Sequence, residues 1–351
     1  MGAEFRRDNH YVPRSYLKRW SLDGSVVPTY RILVQHPNVP LWRAHSLRGI
    51  GYHEHLYTRM SVSGESDAIE RWLDSEFEAP AEVAIERVLG DRRLSRDDWT
   101  SLVRFFAAQD VRTPARLMEN LTRWSSTLPS ILKETLSSSI AALEQMSPAE
   151  REQRMQEAPS HGDVPFRVSL HRDAENGGGW VKGETVVGRG LWLWSIQHLL
   201  TKTVQSLSQH RWTVLTPPDG VTWFTSDAPT IRLNYNSPFD YNFGGGWGSV
   251  GTDLMLPLGP RHLLYTQVGK AVPSRGRKLD PERAALVQRV IAENAHRFIF
   301  AREPSSLVAA LRPRVVDASA VKREAEQWAD WHRSQSEVER DLLSLPPTPV
   351  T

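Results

Sequence analysis

The pattern of apolar residues changes period partway along the chain, and this limits the fold more than any single motif does. Ser66 to Leu89 carries Ile69, Trp72, Leu73, Phe77, Ile85, Val88 and Leu89 at helical spacing. Ser95 with Asp98 three residues on is a capping box that opens a helix ending at Arg112-Thr113-Pro114. Leu117 to Gln145 reads as one or two helices with Pro129 between them, and Ser147 caps a further charged helix. After a strand from Phe166 and a glycine-rich loop at 176–179, Gly190 to His210 is apolar on most sides and reads as a central buried helix. From Arg211 the runs become short and β-rich. Residues 211–215 and 221–225, joined by Pro217-Pro218-Asp219-Gly220, predict a hairpin. Residues 254–260 and 262–267 read as strands and 281–295 as a helix. These periods predict an α+β fold, with a helical N-terminal half (about 1–157) packed on a mostly antiparallel β-sheet from the C-terminal half (about 164–302). Ala158 to Asp163 reads as the linker, and 303–351 as a helical extension with a charged, tryptophan-containing helix at 319–343.

Composition excludes several classes. The chain has 351 residues and no cysteine, which rules out disulfides, thiolate metal sites and a cysteine nucleophile. No apolar run is long enough to span a bilayer and the N-terminus lacks a signal-peptide core, so a cytoplasmic protein is expected. Net charge is only +2, but residues 1–60 hold nine Arg and Lys side chains against Glu4, Asp8, Asp23 and Glu54. That excess suits a nucleic-acid backbone, or reflects genomic base composition. Phe243-Gly244-Gly245-Gly246-Trp247-Gly248 lacks the spacing and lysine of a phosphate-binding loop, which argues against a nucleotide triphosphate site, and no nucleotide cofactor is expected.

Chemistry-bearing residues fall in a few stretches. In Asn9-His10-Tyr11-Val12-Pro13 the proline forces an extended arm and starts a helix on which Tyr16, Leu17 and Trp20 share one face and Arg14 and Lys18 another. Asn9 and His10 are then held just outside a helix N-terminus, or belong to a packed structural arm. His53 and His55 would share a face of a strand, which is half of a metal site without a third ligand. Gln109 and Arg112 share a helix face, presented to a ligand or buried as a polar cluster. Thr225-Ser226-Asp227-Ala228-Pro229 places a carboxylate at a strand end, rigidly held and exposed, or closing an Asx-turn onto the proline.

The opening Asn-His-Tyr-Val-Pro, the aromatic-Leu-basic-basic-aromatic run at Tyr16–Trp20, Gln109 ahead of Arg112-Thr113-Pro114, Thr225-Ser226-Asp227, Leu256-Pro257-Leu258 and Asn294 to Phe300 together resemble the bacterial DUF4238 family over about residues 8–302. Ala228 stands where that pattern often has Asn. Within the family the chain is similar to phage-defence DNA glycosylases that remove glucosylated hydroxymethylcytosine. The resemblance implies base flipping in double-stranded phage DNA, an abasic product and no metal. Asn9, His10 and Asp227 would be catalytic, since one carboxylate or amide near the anomeric carbon suffices to stabilise an oxocarbenium-like transition state. Tyr11, Trp223 and Trp247 would line the pocket, Arg14, Arg19 and Arg112 would hold phosphates, and Gln109 and Ser226 would contact substrate. The alternatives are a non-catalytic nucleic-acid sensor and a metal nuclease built from His10, His53, His55 and Asp227.

Overall fold

A computed structural model describes residues 5–61, 64–156, 166–173 and 178–344. The chain enters as β1 (Asp8–His10), extended because it pairs antiparallel with the strand at Tyr52–Glu54. Pro13 then launches α1 (Arg14–Leu17), which tightens into a 3₁₀ turn at Lys18–Trp20 and buries Tyr16, Leu17 and Trp20. Next come β2 (Val26–Arg31), β3 (Leu33–Val34), β4 (Trp42–Ser46), β5 (Tyr52–Glu54) and the hairpin β6 (Arg59–Ser61) and β7 (Gly64–Ser66). α2 (Ala68–Leu73) runs through a π turn at Asp74–Glu78 into α3 (Ala79–Leu89). Pro80 sits in the first turn of α3, where a missing N–H costs little, and the helical run continues through it.

α4 (Arg96–Val111) starts at the expected capping box: Asp98 N–H donates to Ser95 Oγ (3.1 Å), and Ser95 N–H donates to the Asp98 carboxylate (2.7 Å). Thr113 caps α5 (Pro114–Gln145), a single helix that passes through Pro129. α6 (Pro148–Gln156) follows, then the hairpin β8 (Phe166–Asp173) and β9 (Gly178–Thr185). The expected linker and residues 176–177 of the glycine-rich loop lie outside the described residues. α7 (Arg189–His198) continues through a π turn into α8 (Val204–Ser208). The remainder is β10 (Thr213–Leu215), β11 (Thr225–Ser226), β12 (Ile231–Ser237), β13 (Asp240–Asn242), β14 (Asp253–Gly259), β15 (His262–Gln267), α9 (Pro281–Asn294), β16 (Phe298–Phe300), α10 (Ser306–Leu311), β17 (Val315–Val316) and α11 (Ala318–Ser344).

Two antiparallel sheets form the middle of the molecule, in the orders β10-β15-β14-β12-β13 and β11-β16-β2-β4. Strand alternation sends side chains to opposite cores. Leu254, Leu256, Leu258 and Leu264 join the core beneath α2–α4, α7 and α8, whereas Met255, Leu263, Leu215 and Ile231 join the core beneath α9 and α10. In the smaller sheet Val27 and Phe300 go to the first core, and Tyr30 and Ile299 to the second. The fold is mixed α+β, with sheets covered on both faces.

The expected layout needs correcting in three places. The N-terminal half is not wholly helical: β2 and β4 complete a sheet with β11 and β16 from the other half. The hairpin at 211–225 does not form. β10 pairs with β15 and β11 with β16, because Trp223 N–H donates to the Pro260 carbonyl (2.8 Å) and draws the second run away. His53 and His55 do not share a strand face, since β5 ends at Glu54 and His55 sits in the left-handed region at φ 54°. Beyond residue 302, β17 pairs parallel with β3, and α11 places Trp331 in the first core.

Candidate functional site

Asp227 leaves β11 where that strand meets β16, and its own N–H donates to the Phe298 carbonyl (3.1 Å). Its carboxylate then spans the turn between α9 and β16. Oδ1 accepts from His296 N–H (2.9 Å) and Oδ2 from Arg297 N–H (2.8 Å). It does not close an Asx-turn; Ser226 Oγ accepts from Ala228 N–H instead (3.2 Å). Asp227 is 3 % exposed. Burial pushes its pKa up to about 6, against the opposing pull of the backbone donors.

Asp227 is one of the residues that line a cavity of about 280 Å³. Tyr11, at the foot of the arm, lines the same cavity and stacks on His53 (ring centroids 5.5 Å apart). His53 stacks in turn on Trp328 of α11 (3.8 Å). His296 forms another wall, and burial lowers the pKa of both histidines to about 4, so both are neutral near pH 7. Burial, then the nearby Asp227 charge, raise the Tyr11 phenol well above its ordinary value, so it stays protonated. Arg297 on the wall is held by Glu324 of α11, its Nε donating to both carboxylate oxygens (2.9 and 2.7 Å). Arg31 also lines the cavity, and Arg43, opposite Thr29 on β4, is exposed. A carboxylate with a near-neutral pKa, a protonated phenol and stacked rings in one cleft can orient water, donate to a leaving group and hold a flat ligand.

Tyr11 and Asp227 are therefore brought together as expected, but the other candidates go elsewhere. Neither Asn9 nor His10 lines this cavity. Asn9 is 1 % exposed, and its amide is used structurally: Oδ1 accepts from Tyr57 N–H (2.9 Å) and Nδ2 donates to the Arg6 carbonyl (3.1 Å). His10 points away along β1 and packs on Tyr52. Arg14 is exposed and free to meet an anion. Arg19 is tucked against Glu82 (3.2 Å). Arg112 is wholly buried, bonded to Glu78 (2.6 Å) and to the Tyr11 and His10 carbonyls, so it fixes the arm rather than a phosphate. Gln109 is also buried. Trp223 is a core residue of the α9 side, and Ser226 is buried in its turn. Trp247 donates to buried Asp110 (2.8 Å), away from the cleft. The nuclease set does not assemble either. His53 shares the Asp227 cavity, but His10 and His55 do not line it.

Sequence reading missed His296, Arg297, Glu324 and Trp328 as site residues. His296 and Arg297 sit in a recognisable block, Asn294 to Phe300, but what they face depends on β11 pairing with β16. Trp328 belongs to the charged, tryptophan-containing helix expected at 319–343, whose sequence does not say what it covers.

No curated protein and no solved structure matches the chain. A family model described as proteins of unknown function, DUF4238, matches residues 8–305. The match takes in Tyr11, His53, Asp227 and His296 and leaves out Glu324 and Trp328. Spanning most of the chain as it does, it shows that the protein belongs to the DUF4238 family.

Proposed function

We propose that the protein is a DNA glycosylase of bacterial anti-phage defence that hydrolyses the N-glycosidic bond of a modified, glucosylated cytosine. The observation that carries this reading is the Asp227 carboxylate, held by two backbone donors, tuned to about 6 and sharing its cleft with Tyr11 and a ring stack. In the reaction the ionised Asp227 faces the cationic character that develops at C1′ as the C1′–N bond breaks. The bonding pair leaves with the base. Asp227 takes a proton from the water that bonds to C1′, and that proton balances the departing base. Tyr11, kept protonated, donates a hydrogen bond to the leaving base, and the extruded base stacks on the His53 and Trp328 side of the cleft. Arg14, Arg31 and Arg43 replace Arg19 and Arg112 as the arginines available to phosphates.

α11 lines the cavity through Glu324 and Trp328, and this roof bears equally on a second reading, a non-catalytic sensor. A cavity of about 280 Å³ is small for a glycosylated base, so the protein would have to open to admit one, as a sensor also would. The test incubates purified protein and EDTA with DNA carrying glucosylated hydroxymethylcytosine, and separately with unmodified DNA. Released base is measured by mass spectrometry and abasic sites by strand cleavage at alkaline pH. Base release from modified DNA alone, lost in Asp227→Ala with the fold intact, supports the glycosylase. Binding without release leaves the sensor, and absence of binding rejects both.

A further inference from the structure

His55, which the sequence pairs with His53, finds different company in the fold. Its ring lies face to face with His332 of α11, centroids 3.7 Å apart and planes 11° from parallel. His332 Nε2 lies 3.0 Å from Glu65 Oε1 at the β6–β7 hairpin. One ligand atom from each of His55, Glu65 and His332 falls within 4.8 Å of the other two.

We propose that His55, Glu65 and His332 bind a divalent transition ion of the Zn²⁺ type, which staples α11 to the β5–β7 region. Two imidazoles and a carboxylate are a donor set that borderline ions prefer, and the chain has no thiolate to compete for the ion. Bond lengths of about 2.0–2.2 Å require the three ligand atoms to draw together, and because an imidazole coordinates in its ring plane, the His55 and His332 rings must hinge out of their parallel stack to aim at one ion. Glu65 is exposed and the two histidines are half-buried, so the site is open to an ion and to a water in a fourth position. His55 Nδ1 is 3.1 Å from Thr58 Oγ1, which can accept its proton and leave Nε2 free for the ion.

His332 must do more. In the ion-free arrangement its Nδ1 accepts from Arg189 Nη1 (3.0 Å), which places the ring proton on Nε2, facing Glu65. Binding moves that proton to Nδ1. Ser336 Oγ, 3.4 Å away, becomes its acceptor, and Arg189 Nη1 turns to the His55 carbonyl (3.3 Å). Arg189 does not repel the ion strongly, because Glu339 already neutralises it through two bonds of 3.0 and 2.8 Å.

The test uses the full chain, stripped by chelator and dialysed, with no DNA present, so its outcome is separate from that of the glycosylase assay. Zn²⁺ is titrated calorimetrically and Co²⁺ by its visible absorption. The expected result is one ion per chain with the intense bands of four-coordinate Co²⁺. His332→Ala and Glu65→Gln should each weaken binding at least tenfold, and Ser336→Ala about tenfold through the lost proton acceptor. Exposed His36→Ala should change nothing. His55→Gly relieves the left-handed backbone at that position, so it keeps the fold while removing a ligand and covers the case of a misfolded variant. A missing saturable isotherm, or one unchanged in His332→Ala, Glu65→Gln and His55→Gly, overturns the site.

Discussion

At Asp227 two opposed effects can be weighed. Two backbone N–H groups favour the carboxylate, while burial disfavours it, and burial wins by enough to bring the pKa to about 6. A folded pKa above the unfolded value means the native state binds the extra proton. Stability from this group is complete below about pH 4 and falls as pH rises through about 6, a loss on the order of 3 kcal/mol. If the ionised form does the chemistry, kcat/KM for base release rises with pH along an acid limb centred near 6. A limb of the opposite slope would make Asp227 the acid instead. Asn9 gives a contrasting prediction. Asn9→Ala strands the buried Tyr57 N–H and should cost about 1–3 kcal/mol in denaturant unfolding, while kcat of the folded fraction changes little. A large fall in kcat at unchanged stability would return Asn9 to the chemistry. Tyr11 and Asp227 were legible in the sequence because each lies in a short block, Asn9 to Pro13 and Thr225 to Pro229, whose closing proline marks the end of an extended run. Arg112 was not, because its spacing from Gln109 names a helix face without saying that Glu78 waits opposite.

Among the elements, α11 was recognised as a helix from its period, but its role as a roof depends on tertiary placement. Trp328 closes the ring stack and Glu324 holds Arg297, so the helix is fastened to the cleft through two residues one turn apart. Glu324→Gln should loosen that fastening. Hydrogen exchange over 318–332 should speed several-fold with α4 unchanged, and an unaltered exchange pattern would show that the stack alone holds the roof. The start of α4 was legible to the residue, because capping chemistry is local and Ser95 and Asp98 satisfy each other. The misread hairpin failed for the opposite reason. Pro217 to Gly220 has turn residues, but strand partners are chosen by long-range bonds such as Trp223 to Pro260, which no local pattern carries.

Over the whole molecule, the helical and β-rich periods predicted an α+β fold, but not that the sheets would be sandwiched between two cores. That requires β2 and β4 to cross from one half to the other, and a contact of high sequence separation leaves no periodic trace. The segment beyond the family match is built into the same body. Arg189 is fully buried and its carboxylate partner is Glu339 of α11. Glu339→Gln should cost about 3–5 kcal/mol in thermal or denaturant unfolding, because the buried guanidinium is left without a counter-charge. A loss below about 1 kcal/mol would mean that Ser336, His332 and the His55 carbonyl suffice. The roof also sets a threshold for entry. A ligand can bind only to the fraction of molecules standing open, so an open population of about one in a hundred raises the apparent dissociation constant about a hundredfold. The Arg297–Glu324 pair is partly exposed and screened by salt, as are contacts to DNA phosphates. Added salt therefore opens the door while weakening the hold on a polyanion. A small neutral ligand and a DNA duplex should respond to ionic strength in opposite directions.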